Sequence, residues 1–151
     1  MQRLLLPPVV WLASVGLMVI LQRLWPVGRL PAGAAFSAMV GGAVLGVLGI
    51  GIAHWHAQLF RRIGTNINTF GEPGKLTTAG LFAHTRNPMY LGMLVALAGA
   101  AMALGALSPW LVVLVFFLLL QIWYIPVEER AMAARFGSQY ADYCRHVRRW
   151  L

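Results

Sequence analysis

Charge is scarce in this chain. Of its 151 residues only 11% are Asp, Glu, Lys or Arg, while 60% are hydrophobic. Too little charge is present to solvate the surface of a globular domain. That excludes an ordinary soluble protein and makes a membrane protein the first reading, in line with a mean hydropathy of +0.72. Acids are scarcest of all: Glu72, Glu128, Glu129 and Asp142 are the full set, and the net charge is +8. This basic excess does not signal nucleic acid, because the arginines flank apolar runs instead of alternating with aromatics on a soluble surface. A single cysteine, Cys144, excludes an internal disulfide. No GxGxxG and no P-loop occurs, so nucleotide folds of the soluble type have no support. No Ser/His/Asp set is readable, and no internal repeat stands out. His54 and His56 alternate without a nearby Cys or acid, so no metal site is expected.

What is there is apolar length. The stretch 4–22 is uncharged and long enough to span a bilayer. It lacks a small-x-small cleavage site and reads as a retained helix. A second span covers 30–53. The third uncharged stretch, 87–127, is about twice what one helix needs. Gly105, Ser108 and Pro109 near its middle can turn the chain, giving helices over 88–107 and 109–127. The expected fold is all-α: one membrane domain over 1–151, four transmembrane helices, a polar loop over 54–87, and a C-terminal segment over 128–151. In that segment Phe136, Tyr140, Tyr143 and Val147 recur at helical spacing among basic residues. That is the pattern of an amphipathic helix at the membrane interface, with a break near Gly137.

Basic residues orient the bundle. With the N-terminus cytoplasmic, Arg3, Arg61, Arg62, Lys75, Arg86 and the five arginines from Arg130 to Arg149 fall inside, and Arg23 and Arg29 outside. All four acids fall inside as well, so polar chemistry belongs on the cytoplasmic face. Small residues recur at four-residue spacing, Ala34, Ala38, Gly42 and Gly46 in the second helix and Gly92, Ala96 and Ala100 in the third. They suit close helix approach within a monomer; a homodimer seam is the other reading.

Two polar blocks carry the candidate chemistry. Glu128 and Glu129 follow Pro126 at the expected C-terminal end of the fourth helix, where negative charge opposes the helix dipole. They are either solvated partners of arginines or a cation-binding pair in which one carboxylate faces a ligand and the other holds a basic side chain. Arg86, Asn87 and Tyr90 surround the start of the third helix at Pro88. They are either an interface anchor or, with the helix N-terminus, a site for a carboxylate or phosphate. Asn87 is an N-cap residue by type. His84 precedes the block and reads as a loop or interfacial histidine, or one near a substrate. The hairpin of the last two helices returns both blocks to the same face.

"GLFAHTRNPMYLG", an apolar hairpin, and "EERAMAARFGSQYADYCRHVRRW" together resemble the isoprenylcysteine carboxyl methyltransferase-like membrane enzymes and the related phospholipid methyltransferases. The likeness covers about residues 65–151; Asn87 stands where many relatives have histidine, and Met132 where leucine is common. The resemblance implies S-adenosylmethionine as cofactor, bound by His84, Arg86, Asn87, Pro88, Tyr90, Glu128 and Glu129, with Arg86 and Glu128 carrying catalysis. It places Asn68 and Phe70 of "NINTF", with Tyr140 and Tyr143, at the acceptor. The implied reaction is methyl transfer to a lipophilic acceptor, an isoprenylcysteine-like carboxylate or a lipid amine, in a bacterial inner membrane with both termini cytoplasmic. The acceptor enters from the bilayer, and membrane lipids are the other expected partners. The same blocks also resemble NADPH-dependent sterol or enone reductases, and a non-catalytic lipid-binding protein is the third reading.

Overall fold

A computed structural model describes residues 6–64 and 74–151. Among them the regular structure is helical, and no strand forms beyond one isolated bridge, Thr85 to Arg148. Helix α1 covers Pro7–Leu24, α2 Ala32–Ile63, α3 Pro88–Leu104, α4 Ser108–Leu119 and α5 Ile125–His146. Proline opens α1, α3 and α4, where its missing N–H costs nothing and its fixed φ suits a first helical turn. Three helices are long and apolar enough to cross a membrane: α1, α2 and the run Ser108–His146; α3 is a shorter apolar helix. Phe36, Val47 and Ile122 are 69%, 70% and 72% exposed. Large apolar side chains pointing outward from long helices are what a lipid solvent requires, and the protein is an integral membrane protein.

α2 does not stop at 53 as the sequence suggests; it continues ten residues further, to Ile63. Thirty-two residues at 1.5 Å each give about 48 Å, well beyond the ~30 Å hydrocarbon core. The last turns therefore stand clear of lipid, where His54, His56, Arg61 and Arg62 are tolerable. The helix closes at Gly64, with Arg61 and Arg62 in its final turn complementing the dipole.

α2 and α3 run antiparallel with backbones in contact. A Cβ added at Gly49 would lie 2.4 Å from the Ala96 nitrogen, and one at Gly99 would lie 2.5 Å from the Gly46 nitrogen. The seam is Gly42, Gly46, Gly49 and Ala53 against Gly92, Ala96, Gly99 and Ala103. The steps are four, three and four on both helices. Four-residue steps alone drift about 40° each around a helix of 3.6 residues per turn, so a straight seam alternates them with threes. For that reason Gly99, and not Ala100, occupies the seam; Ala100 turns toward the core.

That core lies between α1, α3 and α4, around Met18, Leu97, Phe116 and Leu120. At one end of the bundle the 25–31 turn meets the α3–α4 turn: Leu30 N–H bonds Gly105 O and Leu107 N–H bonds Val27 O. Gln22 Nε2 reaches Leu104 O there at 2.9 Å. The other end gathers the C-terminus of α2, the start of α3 and the first turns of α5.

Candidate functional site

α4 does not end at Val127. It passes through one π turn, Leu120–Tyr124, directly into α5. Pro126 sits at the start of α5. A proline inside an α-helix lacks an N–H and collides with the carbonyl four residues back; a π turn just before it relieves that clash, and such turns recur at functional sites. Glu128 and Glu129 thus lie within a continuous helix and not at a helix C-terminus, and the expected dipole penalty does not arise.

Both carboxylates are held from α3 and the C-terminal segment. Tyr90, on the first turn of α3, donates its hydroxyl hydrogen to Glu128 Oε1 at 2.5 Å. Arg86 Nη2 is 3.1 Å from Glu129 Oε1. Arg149 grips the same carboxylate with two bonds, Nε to Oε1 at 3.1 Å and Nη2 to Oε2 at 2.5 Å. This fork geometry is the strong form of a guanidinium–carboxylate pair. The bond to Glu129 also raises the pKa of Arg149, against a smaller opposing effect of burial. Glu129 is therefore the carboxylate that holds basic side chains, and Glu128 the one that takes the tyrosine.

The chain around Arg86 is fixed by the residues after α5. Arg86 N–H bonds Arg148 O. Thr85, fully buried, donates from Oγ1 to Arg149 O at 3.1 Å and accepts the Asn87 N–H. Asn87 occupies the N-cap position of α3, yet its side chain does not cap the helix. It turns instead to Arg149 O, donating from Nδ2 at 2.9 Å. Trp150 closes this edge, with Nε1 bonded to Gln121 Oε1 at 2.9 Å and its ring against Phe117.

Behind the ion pairs lie Tyr140 and Tyr143. Both are buried with Val147, against Leu76, Met132, Phe136 and Cys144, so the apolar face of the C-terminal helix is covered by the protein itself. α5 breaks at Gly137, as its sequence suggests. Tyr143 donates to Phe82 O at 2.7 Å. Burial pushes its phenol up to about 12, with Arg86 pulling weakly the other way. Burial, then the neighbouring Cys144, raises Tyr140 as well. Arg86 Nη1 donates to Cys144 Sγ.

Of the sequence candidates, Arg86, Tyr90, Glu128 and Glu129 come together in one cluster, with Asn87 and Pro88 at its edge and Tyr140 and Tyr143 behind it. His84 is exposed, and its ring makes no hydrogen bond among the described residues. Asn68 and Phe70 lie outside the described residues. Among those described, no group of His, Cys, Asp or Glu is suited to hold a metal ion. Sequence reasoning missed Thr85, Cys144, Arg149 and Tyr124, the last buried with its ring 6.5 Å from that of Tyr90. Arg149 was visible only as one of several tail arginines; no local spacing rule links it to Glu129. The π turn at Tyr124 had one available signal, Pro126 inside an otherwise unbroken apolar helix.

The model of one protein family, described as phospholipid methyltransferase, matches residues 37–139. That interval includes the α2–α3 seam, both polar blocks and α5 to just beyond its break. A Haemophilus influenzae protein described only as uncharacterized is 38% identical over 63 residues, which are 42% of this chain and all of that protein. No solved structure matches. With the two polar blocks folded against each other inside the matched interval, the chain belongs to the phospholipid methyltransferase family.

Proposed function

We propose that the protein transfers a methyl group from S-adenosylmethionine to a lipophilic acceptor at the cytoplasmic face of the membrane. Family membership supports methyl transfer involving lipids. The observation that carries the finer reading is the convergence of Tyr90–Glu128 and Arg86–Glu129–Arg149 at one end of an apolar bundle.

The chain's own donors fit such a cofactor. Arg86 Nε is buried and has no hydrogen-bond partner among the described residues. The adjacent N-terminus of α3 has no side-chain cap. Together they suit the carboxylate of an amino acid. Glu128 supplies negative charge for an ammonium group, and Tyr90 beside it supplies an aromatic ring for a purine. S-adenosylmethionine, when bound, supplies an electrophilic methyl group on a sulfonium. The protein's task is then to position the acceptor and exclude water, and methyl transfer asks for little else. Arg86 and Glu128 are the residues assigned to the reacting centre, with Glu129 and Arg149 fixing Arg86. Asn68, Phe70, Tyr140 and Tyr143 are assigned to the acceptor side.

The fold supports four spans, with α3 crossing alongside α2 and α5 leaving the membrane before its break at Gly137. Arg61, Arg62, Arg130, Arg135, Arg145 and Arg148 are exposed beyond the site end. The positive-inside rule therefore makes that end cytoplasmic, with both termini on the same side, and the bacterial relative suits an inner membrane. The α2 small-residue seam is used within the chain, which favours a monomer.

Purified protein given labelled S-adenosylmethionine with lipid extracts and prenylcysteine analogues should yield a labelled, extractable product. Parallel titration with NADPH tests the reductase reading; NADPH binding without S-adenosylmethionine binding would reject methyl transfer. Alanine at Arg86, Glu128 or Glu129 should abolish cofactor binding in protein that stays monodisperse. Unchanged binding in all three would favour a non-catalytic lipid-binding role.

A further inference from the structure

His56 lies on the part of α2 that the sequence does not place in a helix, and it is 1% exposed. Both of its ring nitrogens are engaged. Nδ1 is 2.9 Å from Ile52 O, one turn back on α2. Nε2 is 3.2 Å from the Leu81 nitrogen, whose N–H points at it. A carbonyl can only accept and a backbone N–H can only donate, so the ring is fixed as the neutral tautomer with its proton on Nδ1. The residues around it are shaped for this bond. Gly80 has φ +62, a conformation that disfavours side chains, and a Cβ there would stand 3.3 Å from Nε2. Phe82 packs edge-on to the imidazole and stacks on Phe60 of α2.

The turn held in this way, Gly80–Ala83, leads directly into Thr85, Arg86 and Asn87. Its Phe82 carbonyl also accepts the Tyr143 hydroxyl. One short turn is therefore tied on one side to α2 by His56 and on the other to α5 by Tyr143, four residues before the arginine that pairs with Glu129. We infer that His56 is a positioning residue for the cofactor site: its neutral imidazole, accepting the Leu81 N–H, sets the register in which the Arg86 block meets the Glu128–Glu129 block. The role rests on the methyltransferase reading. It does not involve contact with cofactor or acceptor.

The test compares His56→Leu, which removes both bonds, with His56→Gln, whose amide supplies one donor and one acceptor. Hydrogen exchange in detergent reads the tether without any ligand, and kinetics with S-adenosylmethionine read its consequence. His56→Leu should speed exchange across residues 80–86. It should also raise the cofactor KM by roughly fivefold or more, the scale of one lost hydrogen bond, with kcat changed far less. His56→Gln should restore both values. Gly80→Ala, which strains the same turn at its positive φ and crowds His56 Nε2, should shift KM in the same direction, and it stands in if His56→Leu does not fold. An unchanged KM with faster exchange would overturn the positioning role while leaving methyl transfer standing, as would an equal loss of kcat in the Leu and Gln variants. Wild-type protein that neither binds S-adenosylmethionine nor transfers methyl groups would overturn the function itself and the cofactor role of His56 with it. The exchange data would then still report whether the tether exists.

Discussion

Tyr90 and Glu128 are 38 residues apart in sequence, on the first turn of α3 and the first turn of α5, and their side chains meet at 2.5 Å. This bond joins the two polar blocks directly. It leaves Glu129, one residue on and about 100° around the helix, to the two arginines. The pair is thus divided by geometry: one carboxylate faces a phenol, the other a cationic clamp.

That bond predicts a measurable coupling. In a double-mutant cycle of Tyr90→Phe and Glu128→Ala, thermal unfolding in detergent should report about 1–2 kcal/mol of interaction between the two sites. Tyr90→Phe should also weaken S-adenosylmethionine binding roughly tenfold by calorimetry, the scale of a charge-assisted hydrogen bond. Additive effects of the two substitutions would reject the pairing.

Glu129 should matter more to stability than either of its partners. Glu129→Gln leaves Arg86 and Arg149, both largely covered, without their counter-charge, and a loss of about 2–4 kcal/mol is expected. Arg149→Ala keeps the Arg86–Glu129 pair and should cost less, about 1–2 kcal/mol. Denaturation curves in a mild detergent compare them.

The α2–α3 seam predicts a position-dependent response to a single methyl group. Gly49→Ala meets backbone atoms at 2.4 and 2.5 Å and must push the helices apart, costing about 1–3 kcal/mol. Gly16→Ala on α1 meets nothing within 4 Å and should be stabilising by about 0.5–1 kcal/mol through helix propensity alone. Melting temperatures of the two variants should move in opposite directions.

Alkaline pH should unfold the C-terminal cluster. Burial pushes the Tyr143 phenol up to about 12 in the folded protein, above the ordinary value of 10, and raises Tyr140 too. The folded state therefore keeps protons that the unfolded chain releases. Their contribution is fully present below pH 10 and declines as pH rises toward 12. A stability series over that window should fall, with phenolate absorbance appearing in step with unfolding. Tyr143→Phe should flatten the slope.

Much of this arrangement is legible in the sequence because it depends on local rules. Uncharged length gives the spans, Pro88 and Pro109 give two helix starts, and Gly105 with Ser108 gives the hairpin that brings residues 86–90 and 128–129 to one end. Gly137 marks the break in α5. The misreadings share one cause, the use of local spacing where a partner decides. Four-residue steps point to Ala100, while packing against α2 selects Gly99. Asn87 has the type of a capping residue, but Arg149 O takes its side chain. His54 and His56 invite a metal-ligand test; whether their helix extends that far depends on the turn that docks on it.

By itself the sequence determined that this chain lives in a membrane as apolar helices with its acids gathered beside arginines, because hydropathy, proline and charge act through composition and short-range geometry. Only the tertiary structure decided which carboxylate meets Tyr90, which is clamped by Arg86 and Arg149, and that His56 anchors the turn before them. Those outcomes depend on contacts between residues 20 to 43 positions apart, set by the α2–α3 backbone seam and the path of the chain after α5. No periodicity within a single helix encodes them.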